Sequence, residues 1–347
     1  LTVASRLEVI PLEQLVTDAT LHSAWRRLAS DVPDASYFQT PDWIVSWWET
    51  VGDRPSGTAA LVSEGSRLTG LFALAKTKER LTGRLPWQIR VISNAGSGSG
   101  TDHAGWLAID GAETALAGWL RTMSPILLKG IPLKMGESLD GRLVEMQRCP
   151  RVMISDAPDL MSGKLAKTLR NAQRRLAREG IEFSWKGPGE VEAADLEMLY
   201  HLNELRRSDT GDNPVFDAPQ RRAFHERMLD WGDEGGGTAL LMAARGDDVV
   251  GVLYGFRWRD TFAYYQIGWD PEYRQLSLGS VLVMEAIDEC SRQGIAVFDF
   301  LRGAEDYKYR FGATDLLEGT FVVGRSPGLA AIEATHRLRE RLRSKGS

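Results

Sequence analysis

The chain has 347 residues, 42 Lys and Arg against 47 Asp and Glu, a formal net charge of −5, 43% hydrophobic and 26% charged residues. Its length suits two domains of about 150 to 170 residues, and its composition is that of an ordinary folded protein, which excludes long disorder. The acidic balance gives no general attraction to nucleic acid or acidic membrane, and no uncharged apolar run reaches about 18 residues, which removes a membrane-spanning helix from consideration.

Leu1-Thr-Val-Ala-Ser-Arg-Leu-Glu8 has neither the basic nor the apolar region of a signal peptide. Cys149 and Cys290 lie far apart without metal-ligand spacing and read as free thiols. The expected location is the cytoplasm, with no metal and no integral membrane association.

In chain order, Arg6 to Ile10 reads as a strand, and Leu12 to Ser30 as a helix with Leu15, Trp25 and Leu28 available for a core. Pro41 after Thr40 opens a second helix, in which Trp43, Ile44, Trp47 and Trp48 share one broad face, as core or as the wall of a cleft. Strands are expected at Thr58–Val62, Leu68–Lys76, Gln88–Ser93 and Gly105–Ile109, forming one antiparallel sheet. The flexible Gly/Ser loop from Asn94 ends in Asp102-His103, either a solvated turn or an acid and imidazole for proton transfer. A helix at 112–123, a strand at 126–128, a helix near 137–147 and a strand at 152–154 complete a first domain, residues 1–160.

Residues 161–180 hold the most basic element. Lys164, Lys167, Arg170, Arg174, Arg175 and Arg178 surround an apolar stripe of Leu165, Leu169 and Leu176 at helical spacing. Its basic side is a solvated face of a linking helix or a dock for an anionic substrate. The second domain, residues 181–347, repeats the order of elements: a strand from Ile181, a helix from Val191 to Asp209, a loop Thr210–Pro214, a helix from Pro219 to Trp231, and strands. Arg206-Arg207 near the end of the longer helix complement its dipole. Val249–Trp258 and Thr261–Gly268, separated by Arg259-Asp260, predict a hairpin. The turn through Arg274 then enters the apolar helix Val281–Cys290, whose open amide hydrogens and positive dipole end suit an anion, with Gly279 allowing close approach. A closing strand at 319–324 and a basic amphipathic helix at 329–343 end the chain.

Arg274-Gln-Leu-Ser-Leu-Gly279 resembles the acyl-CoA pyrophosphate loop of the GNAT acyltransferases, commonly Gln/Arg-x-x-Gly-x-Gly/Ala, with Ser277 in place of the first glycine. Phe298-Asp-Phe-Leu-x-Gly303 followed by Tyr307-Lys308-x-x-Phe-Gly312 resembles the CelD-type (cellulose-biosynthesis-type) acetyltransferases, relatives of the Fem peptidyltransferases. The resemblance implies an α/β (α+β) fold of tandem GNAT-like domains, each a mixed, mostly antiparallel sheet flanked by helices. It implies acetyl-CoA or a longer acyl-CoA as co-substrate, held by Tyr265, Gln266 and Ile267 along the pantetheine arm and by Arg274, Leu276, Ser277, Leu278, Gly279 and Ser280 at the pyrophosphate.

For transfer from a thioester to an amine, the oxyanion must be stabilised, the amine deprotonated and the thiolate protonated. The resemblance implies Lys308 beside the reacting centre, with Tyr307, Asp306, Asp102 and His103 as further catalytic candidates and Trp43, Arg206 and Tyr309 as substrate contacts. The chain lacks H-E-x-x-H and a Walker loop, so direct transfer between two bound substrates is the economical mechanism. The expected function is an N-acyltransferase acting on an amine of a small molecule, sugar or cell-envelope precursor, as a monomer or homodimer. The alternatives are a Fem-type transferase dependent on aminoacyl-tRNA, the one reading in which nucleic acid is a partner, and a non-catalytic binding module.

Overall fold

The computed structural model describes residues 5–80, 88–98, 100–156, 163–210, 215–233 and 235–343. Residues 211–214 of the expected loop after Thr210 lie outside them. The chain forms two compact units, Leu1–Gln147 with Leu317–Ser347, and Arg148–Leu316. This differs from the expected division. The last strand and helix complete the first unit instead of ending the second, and the basic helix belongs to the second unit's core because its leucine stripe needs a surface to bury against.

In the first unit, strands β1 (Ser5–Pro11), β2 (Gly57–Glu64), β3 (Arg67–Arg80) and β4 (Gln88–Asn94) pair antiparallel in sequence order, and the short β5 (Leu107–Ala108) pairs with β3. β6 (Ile126–Pro132) is parallel to β4. The expected helix from Ser30 back to Leu12 is split into α1 (Leu12–Thr17) and α2 (Ala19–Asp31), because Asp18 accepts hydrogen bonds from Thr20 and Leu21 and so caps a new start. α3 (Pro41–Thr50) follows, then α4 (Ala112–Thr122), whose Leu116 and Leu120 pack on Val62, Phe72 and Leu128.

Helix was expected at 137–147, but α5 stops at Ser138 (Leu133–Ser138) and β7 runs through Arg142–Met153. Sheet pairing overrides the helix-compatible Leu143-Val-Glu-Met146, since strand preference follows from neighbours more than from intrinsic propensity.

The second unit carries α6 (Gly163–Arg178), β8 (Ile181–Lys186), α7 (Ala193–Thr210), α8 (Pro219–Arg227), β9 (Gly236–Arg245), β10 (Asp248–Trp258), β11 (Thr261–Trp269), α9 (Leu278–Arg292), β12 (Val297–Asp299) and the single-turn α10 (Asp306–Tyr309). Its sheet order is β12-β11-β10-β9-β8, antiparallel except β11 with β12, and the end of β7 pairs with β12. Leu165, Leu169, Ala172 and Leu176 of α6 join Leu278, Leu282 and Ile287 of α9 in one buried cluster. Each unit is thus a mixed, mostly antiparallel sheet with helices against it. β13 (Thr314–Val323) pairs with β6 in the first unit, where α11 (Pro327–Arg343) lays Leu329 and Ile332 on Val91 and Leu127. No helix among the described residues is long and apolar enough to cross a membrane.

Candidate functional site

β11 and β12 pair through Thr261–Val297, Phe262–Phe298 and Ala263–Asp299. Beyond Ala263, β11 continues against β10 on one side but has no strand partner toward β12 among the described residues, so the two strands part at Tyr264. α7 reaches the parted stretch. Gly268 lets its backbone come close, since a Cβ there would sit 2.5 Å from Asn203 N. The fully buried Asn203 donates from Nδ2 to Ile267 O at 2.9 Å, which fixes its amide orientation, and its Oδ1 has no hydrogen-bond partner.

After Trp269, Asp270 accepts from Glu272 N at 2.9 Å, and a 3-10 turn over Pro271–Leu276 leads to Ser277 in the left-handed conformation, φ 57° and ψ 35°. This is where the resembled loop has glycine. A left-handed residue explains that preference, and serine here is strained. Ser277 O accepts from Ser280 N at 3.0 Å and Val281 N at 3.1 Å, whereas the amide hydrogens of Leu278 and Gly279 find no backbone acceptor among the described residues. Ser277 and Ser280 are exposed, so the mouth of α9 offers open N–H groups and hydroxyls at its positive end, the physical requirement for an anion.

The reason for Gly279 is different from the one expected. A Cβ there would lie 2.8 Å from Trp269 Nε1, so the glycine makes room for an indole instead of clearing a path for phosphate. Leu278 is fully buried and Leu276 packs on the core, so their side chains face inward, while Arg274 is exposed. Tyr265 is half-buried in an aromatic cluster with His225 at 5.2 Å and Phe256 at 5.3 Å. Gln266 Oε1 lies 3.5 Å from Asn203 Nδ2, and Ile267 is buried.

Past β12, buried Asp299 accepts from Leu301 N at 2.7 Å, and Leu301 turns left-handed at φ 56°. The turn presents carbonyls to Lys308, whose Nζ lies 3.1 Å from Arg302 O, 3.0 Å from Gly303 O, 3.5 Å from Leu301 O and 2.8 Å from Glu305 Oε2. With three N–H groups and four acceptors, this buried ammonium is saturated. The lysine expected beside the reacting centre is therefore the clasp of the turn. Asp306 is exposed, in the first turn of α10, and Tyr309 OH donates to Asp315 Oδ1 at 2.8 Å on the surface.

Tyr307 stands at the rim, 38% exposed, and its hydroxyl accepts from that of Tyr264. Burial pushes Tyr264 well above the usual phenol range and Tyr307 up to about 12, so both keep their protons at neutral pH. Arg206 lies one helical turn beyond Asn203, and its charge bears on both phenols. The structure thus brings Arg206, Tyr307 and Lys308 together with Asn203 and Tyr264, which sequence reasoning missed. The available signal was the three-residue spacing of Asn203 and Arg206 on one helix.

The remaining candidates belong to the first unit. Trp43 is fully buried, donates from Nε1 to Thr101 Oγ1 at 2.8 Å and meets the Phe38 ring at 4.6 Å; its size made it a core residue, not a substrate contact. The loop expected to be flexible is tied down: Asn94, Thr101 and Asp102 are buried, and Ala104 N donates to Gly130 O at 2.6 Å. His103, at φ 51°, places Nδ1 2.6 Å from Oε1 of buried Glu318, whose Oε2 accepts the His103 amide at 3.2 Å. Glu318 lies 215 residues downstream, beyond the reach of any local pattern.

Comparison with known proteins gives this second-unit geometry a family. Residues 163–309 match the model of the acetyltransferase (GNAT) domain. The second unit is therefore similar to a GNAT acetyltransferase domain. No curated protein sequence matches the chain. Among solved structures, FemX is similar over 90% of this chain and 98% of its own, at 10% identity and a TM-score of 0.63. L-PGS from Bacillus licheniformis is similar over 92% and 96%, at 12% identity and 0.55. A conserved protein of unknown function from Bacteroides thetaiotaomicron is similar over 88% and 97%, at 12% and 0.56. At these identities the likeness is one of fold.

Proposed function

We propose that the chain is an acyl-CoA-dependent N-acyltransferase of the cytoplasm, CelD-like, whose second unit binds the thioester and moves its acyl group directly to an amine. The observation that carries this reading is the parting of β11 from β12 at Tyr264 beside a helix mouth with two unanswered amide hydrogens. The pyrophosphate sits on Leu278, Gly279 and the Ser277 and Ser280 hydroxyls, and the pantetheine arm lies along 264–267. The amine nitrogen forms its bond to the acyl carbon as the carbon–sulfur bond breaks, the departing thiolate takes a proton from Tyr307, and the proton that the nitrogen sheds to solvent restores the Tyr307 hydroxyl, which Tyr264 orients.

Lys308 acts indirectly here, by holding the turn that carries Tyr307. Isothermal calorimetry with acetyl-CoA and longer acyl-CoAs is the test: micromolar binding, lost in Ser280→Glu, is expected. Absence of binding by every thioester would overturn the reading. Tyr307→Phe is expected to lower kcat with KM for the donor unchanged.

Aminoacyl-tRNA-dependent transfer of the Fem type is the second reading, favoured by one observation. Lys164, Lys167, Arg170, Arg174, Arg175 and Arg178 are all exposed on α6, and none makes an ion pair among the described residues. It predicts RNA binding that weakens steeply with salt.

A further inference from the structure

We propose that the acceptor is an amine carrying an oxyanion one or two carbons from its nitrogen, recognised by Arg206 and Asn203 together; this rests on the acyltransfer reading above. Arg206 is half-buried, its Nε is buried without a hydrogen-bond partner, and it makes no ion pair or bond to the last carbonyls of α7 among the described residues. Capping of its own helix, the ordinary role of an arginine at that position, is therefore not what it does.

Glu305, the acid whose charge bears on the same two phenols, is held 2.8 Å from Lys308 Nζ. Unanswered guanidinium beside the buried Tyr264 and the rim residue Tyr307 is a place for an anion, and the planar fork suits a carboxylate or phosphate in two parallel hydrogen bonds.

Asn203 supplies the other half. It is fully buried, Ile267 O fixes its Nδ2, and the unpartnered Oδ1 can only accept. Its neighbourhood, Ile267 and Gln266, is the parted stretch of β11 along which the acyl group would lie. Asn203 and Arg206 are three residues apart on one helix, so their Cβ atoms lie about 5 Å apart on one face of it. An N–H acceptor and an oxyanion donor on neighbouring positions of one helix face suit a compact molecule whose amine and anionic group sit on the same or adjacent carbons. Amino carboxylates and phosphorylated amino alcohols both meet this description.

Product-like probes separate these sources without using the donor. Calorimetry of the full chain with N-acetylglycine, N-acetyl-O-phosphoethanolamine and the neutral N-acetylglycinamide is expected to show at least one anionic probe binding about tenfold more tightly than the amide. Arg206→Gln should erase that preference and Arg206→Lys retain part of it. Preference for the carboxylate makes the acceptor an amino acid or peptide terminus, and preference for the phosphate a phosphoamine. Equal affinity for the three, no binding of any, or a preference that survives in Arg206→Gln would overturn the proposal. Acetyl-CoA titrated into the same samples reports the donor reading separately: its failure to bind would remove the thioester while leaving the probe discrimination standing.

Discussion

Each unit contains a strand, a helix and a second strand parallel to the first, and the two arrangements treat the gap between their strands in opposite ways. In the first unit, β4 and β6 meet at Ser93–Leu127, and directly beyond it the Asn94 side chain accepts from Lys129 N at 2.9 Å and donates to Lys129 O at 3.1 Å. Ala104 N then takes Gly130 O. A side chain and a loop thus continue the ladder where the strands separate. In the second unit, β11 and β12 hold three pairs and part, and Asn203, which bonds Ile267 O on the open stretch, has no partner for its acceptor oxygen among the described residues. The same layout is closed by its own chain in one case and left open in the other, and this favours the second unit as the donor site of the proposed reaction.

The largest effect that would sharpen this contrast is expected in acid. Behind the open stretch, His225 is fully buried, and burial, reinforced by Arg221, lowers its pKa to about 3. An unfolded chain takes up that proton near 6.5, so between about 6.5 and 3 it binds more protons than the folded one and stability falls as the pH drops. Each pH unit inside that window should remove about 1.4 kcal/mol from the opening free energy of β10 and β11 in hydrogen exchange, and His225→Phe should flatten the slope. A slope unchanged in that variant would detach the acid limb from His225.

Next in size, Lys308→Met should destabilise the second unit by on the order of 3 kcal/mol, because it strips a charged donor from buried carbonyls. Urea unfolding measures it, and a loss below about 1 kcal/mol would show that the turn holds without its clasp. Asn94→Ala strands both backbone groups of Lys129 and should cost about 2 kcal/mol with donor affinity unchanged, whereas Asn203→Ala loses one bond and should cost about half as much. If Asn94→Ala weakened acyl-CoA binding, the division of roles between the gaps would collapse. Smallest, Ser277→Gly relieves a left-handed serine and should raise stability by about 1 kcal/mol; a decrease would mean that the Ser277 side chain makes a contact outweighing the backbone strain.

The hairpin 248–269 and helix α9 were legible because alternation of aromatic and β-branched residues, and then a solid apolar run, each belong to one periodicity. Residues 142–147 misled, because their period is ambiguous until a neighbouring strand selects it. At the site, the loop pattern located Ser277 and Ser280 but gave the wrong reason for Gly279, since the partner indole comes from a strand and not from the helix. Lys308 was visible as a charge, but its destination was not: burial against three carbonyls depends on the left-handed turn at Leu301, which no local pattern announced. Asn203 and Tyr264 were silent for a similar reason, as their roles come from contacts between elements.

The path of the chain between the units bears on how the molecule is made. Since the polypeptide leaves the first unit after Gln147 and rejoins it only at Leu317, everything in Arg148–Leu316 is translated before β13 can take its place against β6. A nascent chain can therefore finish the inserted unit while its host still lacks a strand. Deletions from the C-terminal side would injure the older half of the sequence first, leaving the inserted unit's own core residues in place.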